Sequence, residues 1–348
     1  MVSETAPSSA TDPLPPQGCT ARATRAASPS PADDRHNGMW PLLSSALTAV
    51  VLSCILIGLY VGFSSAAKPH RVPVAVVTKQ EPAQQVGVLA GPALQAHPVG
   101  DRKSGLTLLR NGRVSAVIST TPIGLRLDVA TAAGPTTATS IEEVVSAAAA
   151  KLHRPLSTYD TVPLSPTDRR GLAMFFTGLS LSLASSSLAH SLNRAHSRPT
   201  WWQRVCVTGV FGALSGLAGA LVTGPLLGAL PGPVLSVAAT LALLSVAGAL
   251  TTQALAQWLG PPGYAATTVL FVAVGMPTSG GIVGVHLLPT PARTVSELLP
   301  PGAAVRAVRS YCYFHGVQVT VPLLTLAGWI AAAAVLLWMR DGRYRQSE

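Results

Sequence analysis

Charge is what this sequence has least of. Only 11% of its 348 residues are Asp, Glu, Lys or Arg, less than half of the roughly 25% usual in a soluble globular chain. That shortage argues against an ordinary cytosolic enzyme. The few charges are also unevenly spread: none occurs between Arg35 and Lys68, Arg170 and Arg194, Arg204 and Arg293, or Arg309 and Arg340. Uncharged apolar runs of that length belong in a bilayer. Cysteine is scarce as well. Cys19, Cys54, Cys206 and Cys312 stand apart, with no CxxC or Cys/His spacing, so neither a zinc site nor a disulfide framework is implied. Aromatics make up 5%, and the net charge of +10 comes without the clustered Lys and Arg of a nucleic-acid surface. The basic residues sit singly or in pairs at the ends of apolar stretches, where they anchor helices and meet anionic headgroups. The expected surroundings are a lipid bilayer, with no nucleic acid.

Motifs for chemistry are missing too. No GxxxxGK[ST] occurs, so if ATP drives this protein another polypeptide hydrolyses it. Neither HExxH nor GxSxG is present, and Ser65 with Lys68 forms an SxxK only in a small-residue juncture where chance explains it. Asp128, Glu142, Glu143, Asp160 and Asp168 read as a solvated face. No catalytic residue, metal or cofactor is expected, and the chain is not read as an enzyme. Of Asp, Glu, Lys, Arg and His, the apolar stretches hold only His190 and His286, each at or near the edge of one, which disfavours ion-coupled transport, since that mechanism normally needs such groups as relays.

What the sequence does contain is order along its length. Residues 1–38, rich in Ala, Ser, Thr and Pro with no apolar periodicity, are expected to form a disordered tail. A first membrane helix is predicted over 39–64, with Trp40 and Tyr60 near its ends. A cleavable signal peptide is the rival, disfavoured by the length of the run and of the tail before it. Residues 68–170 read as a polar α+β domain. VPVAVV at 72–77, VSAVIST at 114–120 and LRLDVA at 125–130 have the β-branched content of strands, and Ser140 with Glu143 is a capping-box signature opening a helix.

Five more apolar stretches follow at 171–190, 205–229, 234–258, 264–288 and 318–339. They make a five-helix membrane domain over 171–340, with a short tail at 341–348. Six spans put both tails on one side of the membrane and the 68–170 domain on the other. Arg residues in the tails and in the 191–204 loop favour a cytoplasmic location for both termini, although Lys68, Arg71, Arg169 and Arg170 lie on the opposite side.

Two motifs stand out within these stretches. Gly212, Gly216, Ala220, Gly224 and Gly228 recur every fourth residue, a small-residue ridge that lets a neighbouring helix approach closely, within one chain or across a dimer. GMPTSGG at 275–281 cannot continue a regular helix, and irregular backbone at membrane depth must be covered by protein or line a wet cavity; a plain helix end is the alternative. The segment after it, 292–316, has room for one or two short interfacial helices with Arg306 and Arg309 on one face.

Taken in order, TYDTVPLSPTDRRGLAMFF at 158–176, GMPTSGGIVGVHLLP at 275–289 and LLPPGAAVRAVRSYCYFHG at 298–316 resemble the YhgE/Pip (phage-infection-protein-like) membrane proteins, a group placed with type-2 ABC transporter permeases. The likeness is to the compact actinobacterial type, over roughly residues 39–340. It implies a bacterial plasma-membrane protein with six spans, an extracytoplasmic domain between the first and second, and an irregular outer segment at 275–317. In this picture Gly275, Pro277, Ser279, Gly280 and Gly281 form an outer gate. Arg194, Arg198, Trp201, Trp202 and Arg204 contact a separate ABC ATPase, and the permease works as a homodimer or heterodimer exporting an amphipathic or lipidic substrate. The N-tail and the short outer domain depart from the longer relatives. The alternative expectation is a non-transporting envelope protein whose outer domain binds a partner, a wall component or phage.

Overall fold

The computed structural model describes residues 43, 46, 47, 50, 51, 53–62, 69–78, 81–195 and 199–345. The tail at 1–38, much of the first apolar run and Arg198 lie outside the described residues. The chain is mostly helical, 69%, with a small mixed sheet of five strands.

After a short apolar helix, α1 (Ser53–Gly62), comes a sheet domain: β1 (Val72–Val77), α2 (Glu81–Leu89), β2 (Leu94–Val99), α3 (Arg102–Arg110), β3 (Ala116–Thr121), β4 (Gly124–Val129), α4 (Pro135–Lys151) and β5 (Leu156–Asp160). The strand order is β2-β1-β3-β4-β5. β1 runs parallel to β2 and β3, β3 and β4 are antiparallel, and β5 is parallel to β4. The chain moves outward from β1 to β2 and then back across it to β3, so right-handed crossovers place α2 and α3 on opposite faces. On one face Val72, Val74, Val76, Ile118 and Leu127 pack with Val86 of α2 and Ile141 and Val145 of α4. On the other, Ala75, Val77 and Val117 meet Leu109 of α3. Gly105 brings α3 so close that a Cβ there would stand 2.7 Å from Val117 Cγ1.

The strands expected at 72–77, 114–120 and 125–130 correspond to β1, β3 and β4. β2 and β5 have no counterpart among them, because both are edge strands with exposed positions and β2 carries Pro98. The helix expected to open at Ser140 starts earlier. Gly134, with φ +148°, precedes Pro135 at its first turn, and Ser140 lies inside α4. Proline is preorganised for a first helical position, which outweighs the capping-box pattern.

The remainder is α5 (Ala173–Arg194), α6 (Trp201–Leu221), α7 (Val234–Leu259), α8 (Pro261–Thr268), α9 (Met276–Thr278), α10 (Thr290–Leu298), α11 (Pro300–Tyr313) and α12 (Thr320–Arg345). Among the described residues, three helical segments are long and apolar enough to cross a membrane: Trp201–Leu226, Val234–Leu259 and Thr320–Gly342. α7 is apolar on all sides and forms the centre of the bundle, with 61% of its apolar window buried against 22% for the other two. The serine-rich α5 packs on α7. Two wide π-helical stretches interrupt the helices, Val222–Leu226 around Pro225 and Val269–Gly275 just before Pro277. Proline has no amide hydrogen for the i−4 carbonyl, and widening the turn is one way a helix accommodates the loss.

The structure redraws several expected boundaries. α6 begins at Trp201, where Thr200 and Gln203 form a reciprocal capping box, so Arg204 belongs to a helix and not to a loop. At the other end α12 runs on to Arg345, into the expected tail. The small-residue ridge divides. A Cβ on Gly212 would overlap Val246, and one on Gly216 would lie 2.5 Å from Ala238 O and from Ala242 N, so both sit directly on α7, as buried Ala220 does. Gly224 falls in the π-helical stretch, and Gly228, with φ +65°, lies beyond the helix. The π turn shifts the helical phase, which removes the last two from the ridge.

Candidate functional site

Two side-chain clusters lie one at each end of the helical bundle. At the sheet-domain end, Gly275 packs where only a hydrogen fits, since a Cβ would be 2.8 Å from Leu270 O and 2.9 Å from Pro301 Cγ. After α9 the backbone turns sharply. Ser279 Oγ donates to Met276 O at 2.7 Å and accepts from Gly281 N at 3.2 Å, and Gly280 adopts φ +82°. Pro277 and Ser279 are buried. A Cβ on Gly281 would approach Phe175 Cβ to 3.2 Å. The five residues expected to form a gate thus lie within the single stretch 275–281, closely packed and non-helical from Ser279 onward.

This segment is tied to the sheet domain. Arg309 of α11 donates to Gly280 O at 3.2 Å and to Ala133 O, just before α4, at 3.1 Å. Thr136 Oγ1 donates to Ile282 O at 3.4 Å and accepts from Gly284 N at 3.1 Å. Ser165 N donates to Tyr313 Oη at 3.4 Å, and Thr167 Oγ1 to Gly228 O at 2.7 Å. Arg306 donates to Ser296 O at 2.9 Å and Glu297 O at 3.1 Å, fastening α10 to α11. The short helices expected after the motif are present, and α11 is buried in the bundle core through Ala303, Ala304, Val305 and Val308. Arg306 and Arg309 therefore serve as internal clasps, a role that spacing within the sequence did not signal.

Beside the segment lies an apolar cavity of about 280 Å³. Leu56, Ile57, Tyr60 and Val61 of α1 line one side, Phe175 and Leu179 of α5 another, and Val272, Met276 and Pro277 the third. Its wall offers apolar surface almost throughout, suited to a hydrocarbon chain and not to an ion.

At the opposite end Arg204 is turned inward, only 9% exposed. It donates to Asn193 Oδ1 at 2.6 Å, Pro199 O at 3.2 Å and Gln253 Oε1 at 3.5 Å, and Gln253 Nε2 donates onward to Thr208 Oγ1 at 2.9 Å. Asn193 Nδ2 donates to Tyr264 Oη at 2.9 Å, whose ring stacks on His190 with centroids 3.7 Å apart. This network joins α5, α6, α7 and α8. Arg204 is accordingly removed from the set of candidate partner-contact residues: a side chain buried among amides holds helices together and presents nothing to a partner. Arg194 is exposed, Trp202 is 60% exposed, and Trp201 is half-buried with its ring edge-on to Trp202 at 5.6 Å.

No family model, curated protein or solved structure matches the chain.

Proposed function

We propose that the chain is a permease-like membrane subunit of an ABC-type exporter that moves an amphipathic or lipidic substrate with a separate ATPase. The observation that carries this reading is the apolar cavity against Met276 and Pro277, next to the buried non-helical turn at 279–281. A cavity lined by hydrocarbon suits an acyl chain, and the non-helical turn beside it is buried in protein, the setting in which a membrane protein tolerates irregular backbone. In this reading α1, α5 and the α8–α9 run complete six spans with the three long apolar helices. The sheet domain faces outward, and both termini face the cytoplasm of a bacterium. The turn at 275–281 forms the outer gate. Arg194 and Trp202 meet the ATPase, and the motif order from 158 to 316, resembling the YhgE/Pip group, supports the assignment.

The test is copurification from native membranes in nanodiscs, followed by ATPase assay with amphipathic substrates. The expected result is an ABC ATPase recovered with the chain and lost when Arg194 and Trp202 are changed together to Ala. Substrate-stimulated hydrolysis should fall when Leu179→Trp fills the cavity. A well-folded sample that brings no ATPase with it overturns the reading.

A further inference from the structure

The face of the sheet that carries α3 is only partly covered. α3 shields β1 and β3, whereas β5 is an edge strand with Ser157 and Tyr159 exposed. Register aligns Ser119 of β3, Arg126 of β4 and Ser157 of β5 in one row across this face, and Val117, Asp128 and Tyr159 in the next. The centre is Asp128, fully buried. It accepts Arg102 Nε at 2.8 Å and Nη2 at 2.7 Å, Arg126 Nε at 3.1 Å, and Thr161 Oγ1 at 3.4 Å. Two guanidinium groups share one carboxylate, so the cluster keeps a net positive charge. The hydrogen bond to Asp128 also holds Arg102 above the ordinary arginine pKa.

Both arginines are fixed yet reachable, 39% and 27% exposed. Arg126 lies 3.7 Å over the Tyr159 ring, a cation–π contact that holds its plane. Because Asp128 occupies only Nε and Nη2 of Arg102 and Nε of Arg126, Nη1 of Arg102 and both Nη groups of Arg126 have no acceptor among the described residues. Beneath them Ser119, 2% exposed, has a hydroxyl with no hydrogen-bond partner, an omission that normally costs free energy in a protein interior. Asp160, the nearest other carboxylate on β5, is engaged by Thr131. The donors on this face outnumber the two oxygens of a carboxylate and match the three or four of a phosphate, for which planar guanidinium forks are well shaped.

We propose that this face of the sheet domain binds a phosphate ester, gripped by Arg126 and Arg102, with the Ser157 and Ser119 hydroxyls supplying further donors and Tyr159 flanking the group. The site stands apart from the export reading and would survive its failure. The shared chemistry has two sources, a membrane phospholipid headgroup or a soluble phosphate ester.

The full chain in dodecyl maltoside, a detergent without phosphate, is titrated calorimetrically with inorganic phosphate and with glycerol 3-phosphate at low salt. Wild type is expected to bind saturably. Arg126→Gln, which leaves the bidentate Arg102–Asp128 pair in place, should weaken binding by about tenfold or more, the equivalent of roughly 1.4 kcal/mol. Ser157→Asp, on an exposed strand edge where folding is not at stake, should do the same by repulsion. Arg126→Lys, which keeps charge but loses the fork, should fall between. Absence of saturable binding to wild type, or unchanged binding in both Arg126→Gln and Ser157→Asp, overturns the proposal. Repeating the titration in nanodiscs containing phosphatidylglycerol separates the sources: competition by the lipid assigns a headgroup, and an unchanged titration assigns a soluble ester.

Discussion

The two ends of the helical bundle each hold a buried or half-buried arginine, and the two are used differently. Neither Arg204 nor Arg309 forms a salt bridge with a carboxylate among the described residues; each is satisfied by oxygen dipoles. Arg204 reaches side-chain amides and a carbonyl within the bundle, binding four helices into a single block. Arg309 reaches two backbone carbonyls, one in the sheet domain and one in the turn after α9. A clasp within a packed core resists all relative motion, whereas one between two domains resists only their separation. The first end is therefore built for rigidity, and the second is a junction whose parts can part at the cost of a few hydrogen bonds.

Breaking the contrast at its root means separating α6 from α7. Gly216→Leu should have the largest effect, because its side chain must enter space occupied by Ala238 and Ala242 backbone. The expected loss exceeds about 3 kcal/mol by overpacking, read as loss of the monodisperse peak in fluorescence-detected size exclusion; a normal peak with an unchanged melting temperature would refute the close approach. Arg204→Ala comes next. It strands Asn193, Gln253 and the Pro199 carbonyl and should cost about 2–3 kcal/mol, seen as a lower midpoint of thermal unfolding in detergent. Arg309→Gln should change the global midpoint least, by about 1–2 kcal/mol. It should accelerate hydrogen exchange at 131–137 and 279–284 while leaving 204–216 and 237–254 protected. Equal acceleration at both ends would erase the distinction between block and junction.

The sequence made parts of this arrangement legible and hid others for physical reasons. Runs such as VPVAVV announce a buried strand because β-branched side chains suit the pleat, and GMPTSGG announces a break because its closing glycine pair favours a turn over continued helix, Gly280 adopting φ +82°. β5 is invisible to the same logic: Ser157, Tyr159 and Asp160 are exposed at a sheet edge, where pairing and not burial defines the strand. Arg204 concealed the start of α6, because a charge reads as a helix end until its partners Asn193 and Gln253, from other helices, are known. Arg309 had no readable role, since its two acceptors lie 176 and 29 residues away. The cavity beside Met276 is likewise a product of three separate segments, and no local pattern encodes it. Clustered arginine chemistry on the sheet face was hidden for the same reason, because Arg102 and Arg126 converge on Asp128 only once α3 crosses β3 and β4.

The spacing of the Arg309 clasp also orders biosynthesis. The two cores of the sheet domain draw their residues from 72–162, so everything needed to bury them has been made long before Arg309 is. With Ala133 synthesised 176 residues earlier, a ribosome adding roughly 5–20 residues per second leaves on the order of ten to thirty seconds between the two. Order of synthesis alone therefore lets the sheet domain bury its cores before α11 exists, leaving the junction to close by docking a late helix onto an early domain. Variants that slow the sheet domain's folding should leave Arg309 without its Ala133 acceptor when α11 is made.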